Sequence, residues 1–269
     1  MKGIILVLSC QKYLSTRIKK NFENFYIDDW QVVILCGNLF IDKPYIYDKE
    51  KRVLTVKCED SYLHTLKKRI LGIKYAKEIF DIEDGILCCG DDVVFNSNNL
   101  IKYLQSKKCD FEGKNPQPGD YKADKEKLKI TVNDLFMYNY YLLHPDDFNN
   151  PLHNLKNISL SYLKEICKRP NLIGPCGTIY YLSNKSCKIV VNHMENIKFN
   201  IFHYDEHTNS YPYTIEDCSI TFILYYNNID WKNNQLFFTN NMRDKYSLCY
   251  TDWKTWSHVP EAKNLVWRY

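Results

Sequence analysis

Short, uninterrupted apolar runs recur through the first third of the chain, each followed at once by a polar cluster. Ile4–Leu8, Gln31–Leu35 (QVVIL) and Ile86–Cys89 are three such runs, and Val53–Val56 is a shorter one. Runs of this length with no polar alternation predict strands buried on both faces, as in a parallel sheet. Between them the period changes. From Ser61 to Phe80, the positions Leu63, Leu66, Ile70, Ile73, Ala76 and Ile79 recur at three- and four-residue steps with lysines between. That spacing predicts the strongest helix in the chain. Thr16–Phe25 and Asn99–Gln105 read as shorter helices. The resulting order, β-α-β-β-α-β, predicts an α/β fold with an open, mostly parallel central sheet flanked by helices. Such sheets bind ligands beyond the carboxyl ends of their strands.

The pattern is weaker after residue 110. Residues 110–125 (DFEGKNPQPGDYKADK) are polar and rich in Pro and Gly, which predicts a loop. The stretch 131–160 is aromatic, rich in Asn and without clear period. Ser159–Cys167 reads as a helix, Ile179–Leu182 as a strand and Ser186–Glu195 as either. A helix is predicted from near Glu216 through Tyr226, and a strand or two and a terminal helix over the last forty residues.

Composition narrows the class. With 269 residues, 45% of them hydrophobic, the chain can bury a sizeable core in one domain. The 36 basic and 32 acidic residues nearly balance, and no basic block suggests nucleic-acid binding. Eleven cysteines form no CxxC pair and no zinc-finger spacing, which fits free thiols in a reducing compartment. The apolar N-terminal run is too short for a membrane span or a signal sequence. A soluble, cytoplasmic protein with no membrane span is therefore expected. The excess of Lys, Asn, Ile and Tyr points to an AT-rich genome.

Chemistry concentrates where the strand Ile86–Cys89 runs into Gly90-Asp91-Asp92-Val93. Two adjacent carboxylates at a strand end repel unless a cation or a donor-rich ligand meets them. Three further segments align with this one in order. Ser9-Cys10-Gln11-Lys12 with Arg17 follows the first strand, and Asp60-Ser61-Tyr62 opens the long helix, which carries Lys68, Gly72 and Tyr75. Gly174-Pro175-Cys176-Gly177 with Tyr181-Leu182-Ser183 comes later, followed by Glu216-Asp217-Cys218.

In this order the chain resembles the inverting β-1,3-glycosyltransferases, the family of galactosyl-, N-acetylglucosaminyl- and fringe-like enzymes. The family pattern is D-[ST]-Y, a Lys some six residues on, then Gly and an aromatic residue on the same helix. D-D-D-V after a strand, a Gly-rich Y-x-L-S segment and E-D-V follow. The resemblance implies one GT-A, Rossmann-like domain over residues 1–269. Residues 1–109 would form the nucleotide-sugar half, and 110–269 the acceptor and catalytic-base half. It implies a hexosyltransferase that moves a sugar from a UDP-sugar to a glycan or glycoprotein hydroxyl, with Mn²⁺ or Mg²⁺ as cofactor. Two departures stand out. Gly90 replaces the first acid of the triplet, and the stretch between Asp92 and Asp217 is longer than the family's.

By the resemblance, Asp217 is the base that takes the acceptor's proton. Asp92 is the metal-contacting acid, and Ser257-His258-Val259-Pro260-Glu261 resembles a shortened H-x-x-x-P-E segment, making His258 a second metal ligand. Arg17, Asp60, Lys68 and Asp91 fall on the nucleotide side: cations for the diphosphate, acids near ribose or uridine. A host cytoplasm, as for a large DNA virus, would fit the absent anchor and the free thiols.

Three other readings remain open. Gly-Asp-Asp between apolar runs also marks RNA-templated polymerases, but the chain is short for that architecture. His203-Tyr204-Asp205-Glu206-His207 fits H-x-x-E-H, a zinc-hydrolase pattern that requires both imidazoles on one helix face. A degenerate transferase that binds sugar nucleotide or glycan without turnover is the third, motivated by Gly90.

Overall fold

The computed structural model describes residues 1–115, 135–150, 159–166, 174–208 and 211–251. In chain order its strands are β1 (Gly3–Leu8), β2 (Trp30–Gly37), β3 (Tyr45–Asp48), β4 (Val53–Val56), β5 (Gly85–Gly90), β6 (Val93–Phe95), β7 (Phe111–Gly113), β8 (Ile179–Ser183), β9 (Lys232–Asn233), β10 (Phe238–Thr239) and β11 (Cys249–Thr251). The helices are α1 (Lys19–Phe22), α2 (Thr65–Ile79), α3 (Ser97–Gln105), α4 (Leu135–Leu143), α5 (Leu160–Ile166), α6 (Asn184–Asn196) and α7 (Glu216–Tyr226).

Eight strands form one sheet in the order β3-β4-β2-β1-β5-β8-β7-β9. β4, β2, β1 and β5 run parallel, while β3 and β8 are antiparallel to their neighbours. The fold is thus α/β with a large, mostly parallel sheet between helices. β7, β8 and β9 extend the sheet that the first hundred residues begin.

Strand geometry explains the uninterrupted apolar runs. Successive side chains point to opposite faces, and both faces are covered. Ile4, Leu6, Val33, Leu35, Ile86 and Cys88 join a core with Leu66, Ile70 and Ile73 of α2, Val190 of α6 and Ile220 of α7. Ile5, Val7, Val32, Ile34, Leu87 and Cys89 face the other core, with Phe22 of α1, Leu100 and Leu104 of α3, and Phe237. Gly72 makes the first of these contacts close: a Cβ there would lie 2.3 Å from Leu35 Cδ2.

The chain crosses from β1 to β2 over one face and from β4 to β5 over the other, so the strand order reverses at β1. A ligand crevice is expected beyond the carboxyl ends at such a point. Register aligns those ends, since Leu8 lies opposite Leu35 on one side and Gly90 on the other. A second sheet, β10-β11-β6, pairs the C-terminal part of the chain with the strand that follows Asp91 and Asp92. In it, Thr251 lies opposite Val93.

Several expectations change. The helix expected over Thr16–Phe25 is a π-helical turn, Leu14–Ile18, followed by the single turn α1. It stops early because the Arg52 guanidinium takes the carbonyls of Phe22, Glu23 and Phe25 at 2.6, 3.0 and 2.7 Å. Those acceptors would otherwise be the unsatisfied end of the helix. Ser186–Glu195 lies within a helix, because the Ser183 hydroxyl caps α6 by accepting from the Ser186 N–H at 3.2 Å. Residues 111–113 of the expected loop are β7, and β3 went unread in a segment broken by lysines and proline. The expected terminal helix falls outside the described residues. Among the described residues, no helix is long and apolar enough to cross a membrane.

Candidate functional site

Asp91 and Asp92 leave β5 at the aligned carboxyl edge and part immediately. Asp91 turns inward and is 6% exposed. Its Oδ2 accepts from the Ser9 hydroxyl at 2.7 Å, and its Oδ1 from Arg17 Nη1 at 3.0 Å. Asn21 Nδ2 donates to its carbonyl at 3.1 Å. Burial pushes the Asp91 carboxyl up, against the pull of Ser9 and Arg17. Arg17 itself stacks on Tyr13, 3.9 Å from the ring centre. The first acid therefore ties the loop after β1 and the π-helical turn to the end of β5. Asp92 is half-buried and lies beside Gly90, where an added Cβ would meet Asp92 Oδ1 at 2.6 Å.

Asp60 and Lys68 form a second clasp at the same edge. Lys68 Nζ donates to Asp60 Oδ1 at 2.7 Å and to the Ser9 carbonyl at 2.8 Å. Asp60 also accepts from the Gly37 N–H at 3.0 Å and the Gln11 N–H at 2.8 Å. Gly37 is required by close approach, because a Cβ there would lie 2.9 Å from the Cys58 carbonyl. The clasp joins the ends of β1 and β2 to the first turns of α2 and sets the shape of the loop at Ser9–Gln11.

Beside it, Arg69 is fully buried. Its Nη1 donates to the Leu6 carbonyl at 2.7 Å, its Nη2 to the Cys89 carbonyl at 3.0 Å, and its Nε to Glu216 Oε1 at 2.8 Å. The Tyr180 hydroxyl donates to the same Glu216 oxygen. Burial pushes the Glu216 carboxyl up, and the Arg69 charge offsets part of this. One arginine thus fixes the first residue of α7 to the last turns of β1 and β5.

Asp217 follows on α7. Its Oδ2 accepts from the Gly177 N–H at 2.7 Å and its Oδ1 from the Cys218 N–H at 2.8 Å. Burial raises its pKa, and the two N–H donors counter that rise. Gly177 stands between both acids: a Cβ there would lie 3.1 Å from Glu216 Oε2 and 3.4 Å from Asp217 Oδ2. Tyr62 is 55% exposed overall. Desolvation of its hydroxyl, then the charges of Asp217, Glu216 and Asp92, raise its pKa. Burial and the Asp217 charge push the Cys176 thiol up to about 11, so it is protonated at neutral pH.

Arg17, Asp60, Lys68, Asp91, Asp92 and Asp217 all lie at the carboxyl edge of the sheet. Arg17 with Asp91, and Lys68 with Asp60, spend charge on one another, while Asp217 is held by backbone N–H groups. His258 lies outside the described residues. Among the described residues, no three His, Cys, Asp or Glu side chains come together as a metal-holding group. His203, Glu206 and His207 sit on a turn and are exposed, so the helix that H-x-x-E-H chemistry needs is lacking.

Sequence reasoning gave no role to Arg69, Ser9 or Tyr180. Arg69 had a readable signal. It stands three residues after Leu66 and four before Ile73, on the apolar face of α2, where an unpaired charge would be costly. Compared with known protein families and with characterised proteins, the chain finds no match in either.

Proposed function

We propose that the protein is a metal-dependent inverting glycosyltransferase of GT-A type, moving a sugar from a UDP-sugar to a glycan hydroxyl. The observation that carries this reading is that Asp92, in the turn after β5, and Asp217, at the start of α7, come to one edge of the sheet: Asp217 accepts from the Gly177 N–H at 2.7 Å, and the carbonyl of the next residue, Thr178, accepts from the Gly90 N–H at 3.1 Å. Inverting transfer needs a base for the acceptor hydroxyl on one side of the sugar and charge neutralisation for the leaving diphosphate on the other.

Asp217 is the base. Its oxygens are oriented by the N–H groups of Gly177 and Cys218, and each keeps a lone pair for the acceptor proton. Burial raises its pKa and so strengthens it as a base, while Glu216 and Arg69 hold the turn that carries it. Ser9–Gln11, shaped by Asp60 and Lys68, lines the nucleotide side.

Asp92 offers carboxylate oxygen at a half-exposed position, and a Mg²⁺- or Mn²⁺-type ion takes few protein carboxylates together with substrate phosphates. Asp92 would hold it with His258, and the ion would neutralise charge building on the diphosphate. Asp91, with both oxygens engaged, positions its neighbour.

The test is a panel of UDP-sugars, assayed for hydrolysis with and without Mn²⁺. Mn²⁺-dependent release of UDP is expected. Asp217→Asn is expected to lower it by about 10²- to 10⁴-fold, the usual range for a lost general base. Turnover surviving in Asp217→Asn removes Asp217 as base. Stabilisation by UDP and Mn²⁺ with no turnover on any donor favours the binding-only reading.

A further inference from the structure

Helices α2, α6 and α7 cover one face of the sheet, and their ends define a second feature at its carboxyl edge. α2 and α7 both begin there, joined by Arg69 and Glu216. α6 packs against both and runs antiparallel to α2, since Lys77 reaches the Asn184 carbonyl at its start and Lys74 pairs with Glu195 near its end. The chain leaving α6 therefore emerges beside the first turn of α2. Between them lies a groove of about 510 Å³, lined among others by His64, Lys67, Lys198, Phe199, Asn200 and His203. Its size is within the range of roughly 300–1,000 Å³ typical of small-ligand sites.

The groove is basic. No aspartate or glutamate lines it among the described residues. Lys68, Lys74 and Lys108 each have an acid partner, but Lys67 and Lys198 make no ion pair among the described residues. Lys198 is also retained at a cost. α6 ends in a Schellman turn, with Phe199 N–H on the Met194 carbonyl at 2.7 Å and Lys198 N–H on the Glu195 carbonyl at 2.8 Å. That turn places Lys198 at φ 55°, where glycine is the usual residue. Phe199 follows at φ 53° and adds an aromatic wall.

We infer that this groove is a subsite for an anionic sugar of the acceptor, one carrying a carboxylate or a sulfate ester. The inference rests on the transferase reading for the word acceptor, because the groove adjoins the first turn of α2, the helix whose Arg69 pairs with Glu216 beside Asp217. Lys67 and Lys198 supply the charge, Asn200 hydrogen-bonds hydroxyls, and Phe199 packs on the sugar face.

Ligand-observed NMR on the full chain tests it with three disaccharides: one containing a uronic acid, one carrying a sulfate ester, and neutral cellobiose. At least one acidic sugar is expected to bind about tenfold tighter than cellobiose, the effect of one charge-assisted hydrogen bond. The two acidic arms separate carboxylate from sulfate. Lys198→Gly, which relieves the left-handed backbone, is expected to melt no lower than wild type and to lose that preference. Lys67→Gln is expected to weaken it in the same direction. Equal binding of neutral and acidic sugars, no binding of either acidic sugar, or an unchanged preference in both variants overturns the assignment. UDP binding is followed on the same samples. Its absence would overturn the transferase reading while leaving the groove to be judged by the disaccharides alone.

Discussion

Arg69→Met tests whether the α7 acids are held by one buried arginine. The substitution keeps the apolar stem but removes the donors to Glu216, Leu6 and Cys89. Removing one partner of a buried pair costs about 3–5 kcal/mol, because the other charge is left uncompensated. Each orphaned carbonyl adds about 1–3 kcal/mol where it finds no new donor. Against a total stability of about 5–15 kcal/mol, even the lower figure is a large loss. The loss should also depend on pH. Glu216 already sits above its ordinary pKa through burial, and Arg69 is the charge that pulls it down. Without Arg69 the folded-state pKa climbs further, so the folded variant keeps its proton where the unfolded chain releases it. A carboxyl raised in this way leaves stability intact below its unfolded pKa and loses it as pH rises toward the folded value, by about 1.4 kcal/mol per unit. Urea unfolding at pH 5 and pH 8 should therefore show the larger deficit at pH 8. Arg69→Met/Glu216→Gln should recover part of it. A single variant within about 1 kcal/mol of wild type would refute the pinning, and so would a deficit that does not change with pH.

The adjacent acids should separate by phenotype. Asp91→Asn leaves Arg17 and Ser9 without their charged acceptor and is expected to lower stability by about 1–3 kcal/mol in urea unfolding. Asp92→Asn is expected to weaken the Mn²⁺-dependent binding of UDP in calorimetry. Gly177→Ala forces a Cβ to 3.1 Å from Glu216 Oε2 and 3.4 Å from Asp217 Oδ2, so kcat for UDP-sugar turnover should fall with little change in melting temperature. With Asp217 as base, turnover should rise with pH through its elevated pKa, and a pH–rate profile flat across the acidic limb would contradict that role.

The central strands and α2 were legible because their periods are clean. Ile4–Leu8 and Ile86–Cys89 are apolar at every position since helices cover both faces, and α2 repeats at three and four residues. Elements decided by distant partners were less legible. The end of α1 depends on Arg52, some thirty residues later, and the pairing of β7 with β8 and β9 depends on chain far beyond it. The site was legible as residue types, not as partnerships. Asp60, Lys68, Asp91 and Arg17 were readable as charges at a ligand edge, but only the fold shows them engaged with one another. Asp91 and Asp92 form the turn between β5 and β6, so strand alternation does not assign their directions, and only the fold shows Asp91 turned in to Ser9 and Arg17.

Gly90 follows from the same geometry. The resembled transferases have an acid at this position, and glycine removes one carboxylate from it. In this chain, however, a Cβ on residue 90 would stand 2.6 Å from Asp92 Oδ1. Any side chain there displaces the Asp92 carboxylate from its present position. Glycine and the orientation of Asp92 therefore belong together, and an acid at position 90 would require another arrangement. The clash is with the far end of a flexible side chain, so the backbone need not move. Gly90→Ala should then change stability by less than about 1 kcal/mol, since alanine's entropic advantage in a strand offsets the displaced side chain. The displaced carboxylate should nevertheless weaken UDP–Mn²⁺ binding, in the direction of Asp92→Asn and by a smaller factor. Gly90→Asp adds a second carboxylate beside Asp92 and should shift the Mn²⁺ requirement as well. Calorimetry with UDP and Mn²⁺ on the three variants, with melting temperatures alongside, makes the comparison. Gly90→Ala with unchanged stability and unchanged UDP–Mn²⁺ affinity would show that the position of the Asp92 carboxylate does not matter, and Asp92 would lose its place as the metal-facing acid.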